Sequence, residues 1–446
     1  MLKKRIKELT ISRDLWKEKY YQLKHSGSLS GSLNDRKAKH HSYPLVIVWF
    51  VLYLQSYGTM SLRCCQKSIS GMLLVLGLQG TTPSISSIRN WCCKLGYYRI
   101  HHKDDSSGSW VLIVDESIGL NREKILLVLG VQVEDLPKKE SLSLDKLTVI
   151  RLEIHRKWKV DEITDLLEGI KKERQIAYVL SDQDHSLKKS YSNASLDYVS
   201  DCTHRITAIL KNLYKKDETF LAFVSLAGRL RQRWNLSGHT AYSPPNQRAK
   251  CRFANVFPVI EWAEQVLHLW KKLPEEIKEK TEWLQENRRF IEELVILKNW
   301  GKSILTQLKQ GGYTVDKHQN ILKMLRGKHT GKRLKFQKKV LEYLEELKLY
   351  LSQNGYTNLY CCSDVIESTF GKFKYKINKN ATTGLTEFVL TIANFMGDFS
   401  IDEIQKGLEK TRMNDLYKWK KQRKKQKSIR KQKQEIFGKK RGKKSP

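Results

Sequence analysis

Apolar residues return every three or four positions over most of this chain, and each such stretch predicts a helix. In residues 3–24 Ile6, Leu9, Leu15 and Tyr20 recur among charges, which predicts one amphipathic helix. Residues 25–42, rich in Ser, His and Lys, read as a linker. Residues 44–55 predict the first helix of a small domain. Residues 62–76 predict a second, with Leu62, Cys65, Ile69, Leu73 and Leu76 on one stripe. After a break at 77–81, Thr82-Pro83 supplies an N-cap hydroxyl and a proline suited to the first turn. Ile85, Ile88, Trp91, Cys92 and Leu95 continue that helix, and Gly96 reads as its stop. Helix, short turn and capped helix make a helix-turn-helix pattern, so residues 43–104 are expected to form a DNA-binding domain. Its last helix would present Ser84, Ser87, Arg89 and Lys94 to phosphates and base edges. Any three-helix bundle shares the pattern.

The period changes at residue 110. Short apolar runs at 110–114, 124–133 and 147–154 predict three strands, and 160–171 predicts a helix. Two further strands, 176–180 and 196–200, alternate with helices, the last at 203–213. Three strands in a meander followed by strand–helix units imply a mixed α/β sheet with helices on its faces, over residues 108–213. Residues 214–355 then turn helical and hold five of the eleven tryptophans: Trp234, Trp262, Trp270, Trp283 and Trp300. This stretch reads as a helical insertion into the α/β domain, its tryptophans serving as core. Residues 356–400 resume the core with helices at 363–376 and 381–396, and 401–446 read as a basic tail.

Charge narrows the function. Lys and Arg number 82 against 47 Asp and Glu, a net charge of +35 over 446 residues. That balance argues against an ordinary neutral metabolic enzyme and for a polyanionic partner, most simply nucleic acid. Residues 418–446 alone carry 15 Lys or Arg against one acid, a surplus expected to be disordered until it meets phosphate. The longest apolar run, 44–54, is about half the ~20 residues a membrane span needs, and no secretory leader is visible. A cytoplasmic, nucleoid-associated protein is expected, without a membrane partner. Three adjacent cysteine pairs, 64–65, 92–93 and 361–362, lack the spacing of a zinc knuckle and read as small packed thiols.

Two aspartates directly follow apolar strands: Asp115 and Asp182. A charge beside such a strand costs several kcal/mol unless a metal or partner offsets it. Glu367 lies far downstream on a predicted helix, and three hard oxygen ligands suit Mg²⁺ that also holds phosphate. Among competing acids, Glu116 should face the opposite side of the sheet, and Asp184 should open a helix. Asp201 with His204 is a rival or secondary pair, as a helix cap with a general base. The loop holding Arg248, Lys250 and Arg252 is basic, stiffened by Pro244-Pro245, and could track DNA backbone.

Strand–Asp, strand–Asp and a distant helical Glu behind a helix-turn-helix resemble the DDE transposases of bacterial insertion sequences. Tyr360, Glu367 and Lys374 match the Tyr-x2-Arg-x3-Glu-x6-Lys signature of one cut-and-paste group, with Ser363 standing at the Arg position. The resemblance covers roughly residues 43–400. It implies a ribonuclease-H-like core split by an insertion domain, and catalysis by Asp115, Asp182 and Glu367. Two Mg²⁺ ions (or Mn²⁺) roughly 4 Å apart would be held there, with Asp115 bridging them. The reaction implied is endonucleolytic cleavage at the element end, then transfer of the freed 3′-OH to target. Lys374 and Tyr360 would contact the DNA, and a homodimer or larger assembly would hold element ends and target as double-stranded DNA. The alternatives are a nuclease of the same fold without strand transfer, and a catalytically inactive DNA-binding derivative.

Overall fold

The computed structural model describes residues 36–75, 81–102, 107–118, 123–155, 157–235, 237–246, 256–377, 386–423 and 434–437. The expected helix at 3–24 and the basic loop with Arg248, Lys250 and Arg252 lie outside these residues. The chain forms two compact units. One comprises Met1–His102, Thr386–Asn394 and Asp398–Lys425, and the other Lys103–Leu385, Phe395–Gly397 and Gln426–Pro446.

In the first unit, α1 (Leu45–Ser56), α2 (Leu62–Val75) and α3 (Ile85–His101) pack around Val48, Leu52, Ile69, Ile88 and Trp91. Ser84, not Thr82, caps α3 by accepting a hydrogen bond from the Ser87 amide. Gly96 does not stop that helix. A Cβ there would lie 2.1 Å from the carbonyl oxygen of Leu390, so glycine is what lets the segment 387–395 cross the helix at close range. That segment is a 3-10 helix of nine residues rather than the expected α-helix.

The second unit is built on a five-stranded sheet: β1 (Ser109–Ile118), β2 (Lys124–Gln132), β3 (Thr148–His155), β4 (Gln175–Ser181) and β5 (Tyr198–Ser200), in the order β3-β2-β1-β4-β5. β1 to β3 form an antiparallel meander, while β4 and β5 run parallel to β1. Helices α4 (Val160–Glu173) and α5 (His185–Asn193) cover one face. Ile163, Leu167 and Leu187 meet Trp110, Leu112 and Val114 there. By strand alternation Val111, Ile113 and Asp115 belong to the opposite face. The β1 and β2 runs are apolar without alternation because both faces are covered.

After α6 (Cys202–Tyr214) the chain leaves the sheet for α7 (Glu218–Trp234), α8 (Phe257–His268), α9 (Glu275–Glu286), α10 (Arg288–Lys309), α11 (Val315–Met324) and α12 (Gly331–Gln353). This is the helical stretch expected at 214–355. Trp234 and Trp262 are buried in it, and Trp283 lies edge-on to Phe223. The chain returns through α13 (Asp364–Ile377), which packs against β1.

From 401 the structure departs from a tail. α14 (Ile401–Lys410) and α15 (Met413–Arg423) are ordered helices of the first unit. Ile404 and Leu408 enter the core of α1 to α3, and Leu416 and Trp419 are buried as well. A charge count hides these four anchors, since lysines surround them. No described helix is long and apolar enough to cross a membrane.

Candidate active site

Parallel pairing sets the first two acids side by side. Val114 stands opposite Ser181, the last pair of the β1–β4 register; Asp115 follows within β1, and Asp182 is the first residue past the end of β4. Neighbouring strands lie ~4.8 Å apart, so the two side chains leave the sheet at the same end. Asp182 is further fixed by its backbone: its carbonyl accepts the Tyr198 hydroxyl at 2.8 Å, and its Oδ1 accepts the Asp184 amide at 3.1 Å. Asp184 caps α5, the helix-opening role expected of it. Glu116 meets Lys124.

Glu367 arrives from α13. Burial pushes the Asp115 carboxyl up to about 7, and the charges of Asp182 and Glu367 push the same way. The His204 ring and the Glu116 amide oppose that rise without cancelling it. The structure therefore brings Asp182, Glu367 and His204 within electrostatic reach of Asp115.

Asp201 and His204 organise the side of this cluster. The fully buried Asp201 carboxylate caps α6 by accepting the His204 amide at 2.7 Å. The same oxygen contacts His204 Nδ1 at 2.8 Å, while Oδ2 accepts the Ser363 amide at 2.6 Å and its hydroxyl at 2.9 Å. Burial alone would raise its pKa, but the imidazole and these donors hold it below the usual carboxylate range. A carboxylate at Asp201 holds a proton on Nδ1, and the other ring nitrogen, Nε2, stands 3.8 Å from Glu367 Oε1, a contact that is attractive only when Nε2 is protonated as well. Ser363, at the signature's Arg position, thus ties the start of α13 to Asp201. No sequence signal marks a contact between residues 162 positions apart.

The remaining expected contacts are scattered. Tyr360 is buried, and its carbonyl accepts the Tyr178 hydroxyl at 3.1 Å. A phenol in that position does not reach a nucleic acid, so the expected DNA contact is corrected to a packing role. Lys374 is exposed on α13, its ammonium 5.9 Å from the Phe370 ring centre. In the other unit, Lys94 is half-buried against α14, where its ammonium donates to the Leu408 carbonyl at 3.1 Å. Arg89 pairs with Glu387 at 2.8 Å and keeps part of its surface exposed.

No family model and no curated protein matches the chain. Among solved structures the chain is similar to the Drosophila P element transposase strand transfer complex, at 14% identity over 82% of this chain and 94% of that one, with a TM-score of 0.43. A likeness at that level fixes neither fold nor function.

Proposed function

We propose that this chain is a DNA transposase with a ribonuclease-H-like core, cutting DNA strands and joining a freed 3′-OH to target with divalent cations. The observation that carries the reading is that Asp115 in β1 and Asp182, just past β4, follow the last pair of the β1–β4 register, with Glu367 acting on Asp115 from a helix 185 residues beyond Asp182. The donor set fits magnesium: three carboxylates offer hard oxygens only, and Asp115, raised first by burial and then by its two acidic neighbours, is a carboxyl that a bound cation would hold in its charged form. Asp115, Asp182 and Glu367 would hold the ions. Bound there, Mg²⁺ supplies charge neutralisation at the reacting phosphate and activates the attacking oxygen.

The protein's own groups do the positioning. Asp201 fixes the His204 ring plane through Nδ1, and Nε2, 3.8 Å from Glu367 Oε1, would attract that carboxylate when the ring is in its doubly protonated form. Ser363 holds the first turn of α13 against the same carboxylate. Lys374 lies seven residues beyond Glu367, roughly 10 Å along the helix and near the same face, where it suits a flanking phosphate. The net charge of +35 supports double-stranded DNA as the partner, bound largely through its phosphates.

The test uses a labelled DNA end. Wild-type protein with Mg²⁺ should release it and join it to a second duplex, and Asp115→Asn should do neither while still binding DNA. Release without joining would favour a nuclease, and neither reaction under any divalent cation would favour a DNA-binding protein without catalysis.

A further inference from the structure

Among the described residues one group of three metal-binding side chains has its ligand atoms converge: Asp201, Cys202 and Cys362, all three buried. Their ligand atoms lie within 4.8 Å of one another. We propose that these residues form a site for one thiophilic d¹⁰ cation of the zinc class, separate in chemistry from the magnesium-type cluster around Asp115.

The argument begins with ligand softness. Two thiols and one carboxylate select zinc over magnesium, whereas Asp115, Asp182 and Glu367 select the reverse. Geometry follows. A tetrahedral zinc with Zn–S of ~2.3 Å needs donors about 3.8 Å apart, so closing the three side chains around the ion takes a shift of an ångström or less, and a water would supply the fourth ligand. The backbone is already sewn together on both sides of the thiols. The Cys202 amide donates to the Cys361 carbonyl at 2.8 Å, and the Ser363 amide donates to Asp201 at 2.6 Å. The donors thus come from two chain segments 160 residues apart, which is why the adjacent-cysteine spacing conceals the site.

Occupancy has a structural consequence. Cys202 is the first residue of α6 and Cys362 precedes α13, so the ion would clamp together the starts of the helices that carry His204 and Glu367. To ligate the ion Asp201 would exchange the Ser363 hydroxyl on Oδ2 for the cation, keeping the Ser363 amide and both His204 contacts.

The experiment uses reduced, full-length protein stripped with chelator, then exposed to zinc and desalted. We expect one tightly held equivalent in the wild type, lost in Cys202→Ser and in Cys362→Ser but kept in Cys93→Ser, a buried cysteine outside the cluster. Circular dichroism of each variant reports whether it is folded. Zinc-edge X-ray absorption of the wild type needs no variant, and should show two sulfur neighbours at ~2.3 Å. A shell of nitrogen and oxygen alone, or equal zinc retention in wild type and both folded variants, overturns the proposal. None of these readouts uses DNA cleavage, so failure here is distinct from failure of the transposase reading.

Discussion

His204 Nε2 lies 3.8 Å from Glu367 Oε1, and the opposite edge of the same ring is held by Asp201 at 2.8 Å. One imidazole therefore links a buried acid to an acid of the candidate metal site. Groups that orient metal ligands typically change affinity or activity by 10–100-fold when removed. His204→Ala should lower cleavage by about that factor and raise the Mg²⁺ concentration needed for half-maximal rate. A variant as active as the wild type across a Mg²⁺ titration would show that Glu367 needs no such support.

Asp115 gives a pH signature in metal-free protein. Its folded pKa of about 7 stands above the ordinary 3.8, so the stability associated with its proton is present in full below 3.8 and lost as pH rises through 7. Asp115→Asn, which keeps the shape without the charge, should melt above the wild type. The difference should widen between those two pH values, level off beyond them, and shrink when Mg²⁺ is added. Calorimetry at four or five pH values checks this.

Asp201 has the opposite sign. Its folded pKa is depressed, so its contribution is present above the ordinary value of 3.8 and lost as pH falls through the folded one. Asp201→Asn removes a helix cap and a buried, hydrogen-bonded charge, and should destabilise by about 2–4 kcal/mol at neutral pH. Urea melts at neutral and strongly acid pH measure the loss and its disappearance. Unchanged stability at neutral pH would contradict the contacts to His204 and Ser363.

Two glycines should respond in opposite directions. Gly96→Ala places a methyl 2.1 Å from the Leu390 carbonyl, a backbone atom, and should cost about 2 kcal/mol or more. Gly71 sits inside α2, where an added methyl would meet nothing within 4 Å, so Gly71→Ala should stabilise by ~0.5–1 kcal/mol. Thermal denaturation of both variants decides it.

Removal of 424–446 spares the buried Trp419 and deletes eleven Lys or Arg with one acid. Affinity for random and element-end DNA should fall by similar factors, with a flatter dependence on salt. Binding gels at three salt concentrations, run with both DNAs, measure it. A loss confined to the element end would assign sequence reading to this segment.

The strands and their acids are legible because β1 and β4 are near-continuous apolar runs that stop at Asp115 and Asp182. Burial on both faces keeps the runs apolar up to that edge, with Ser181 the one polar residue next to it. Glu367 is legible from helical spacing and the partial signature. The roles of Tyr360 and Lys94 are not. Tyr360 belongs to the buried run Leu359–Cys362, whose apolar character outweighs its place in a motif. Lys94 faces α14, and no local pattern around residue 94 reveals a partner 314 positions away. The helices at 401–423 are hidden for the converse reason: four apolar anchors among many lysines look like a solvated tail.

Because Ile404 and Leu408 share one core with Leu45 and Val48, α1 to α3 wait for α14. On the ribosome, α1 to α3 emerge about 300 residues or more before α14. A growing or truncated chain exposes Val48, Leu52 and Ile69 throughout that interval, inviting chaperones or proteases. A nonsense product ending before 401 would keep every residue of the sheet and its acids yet carry an open N-terminal bundle. Only chains translated past Leu408 would close the first unit.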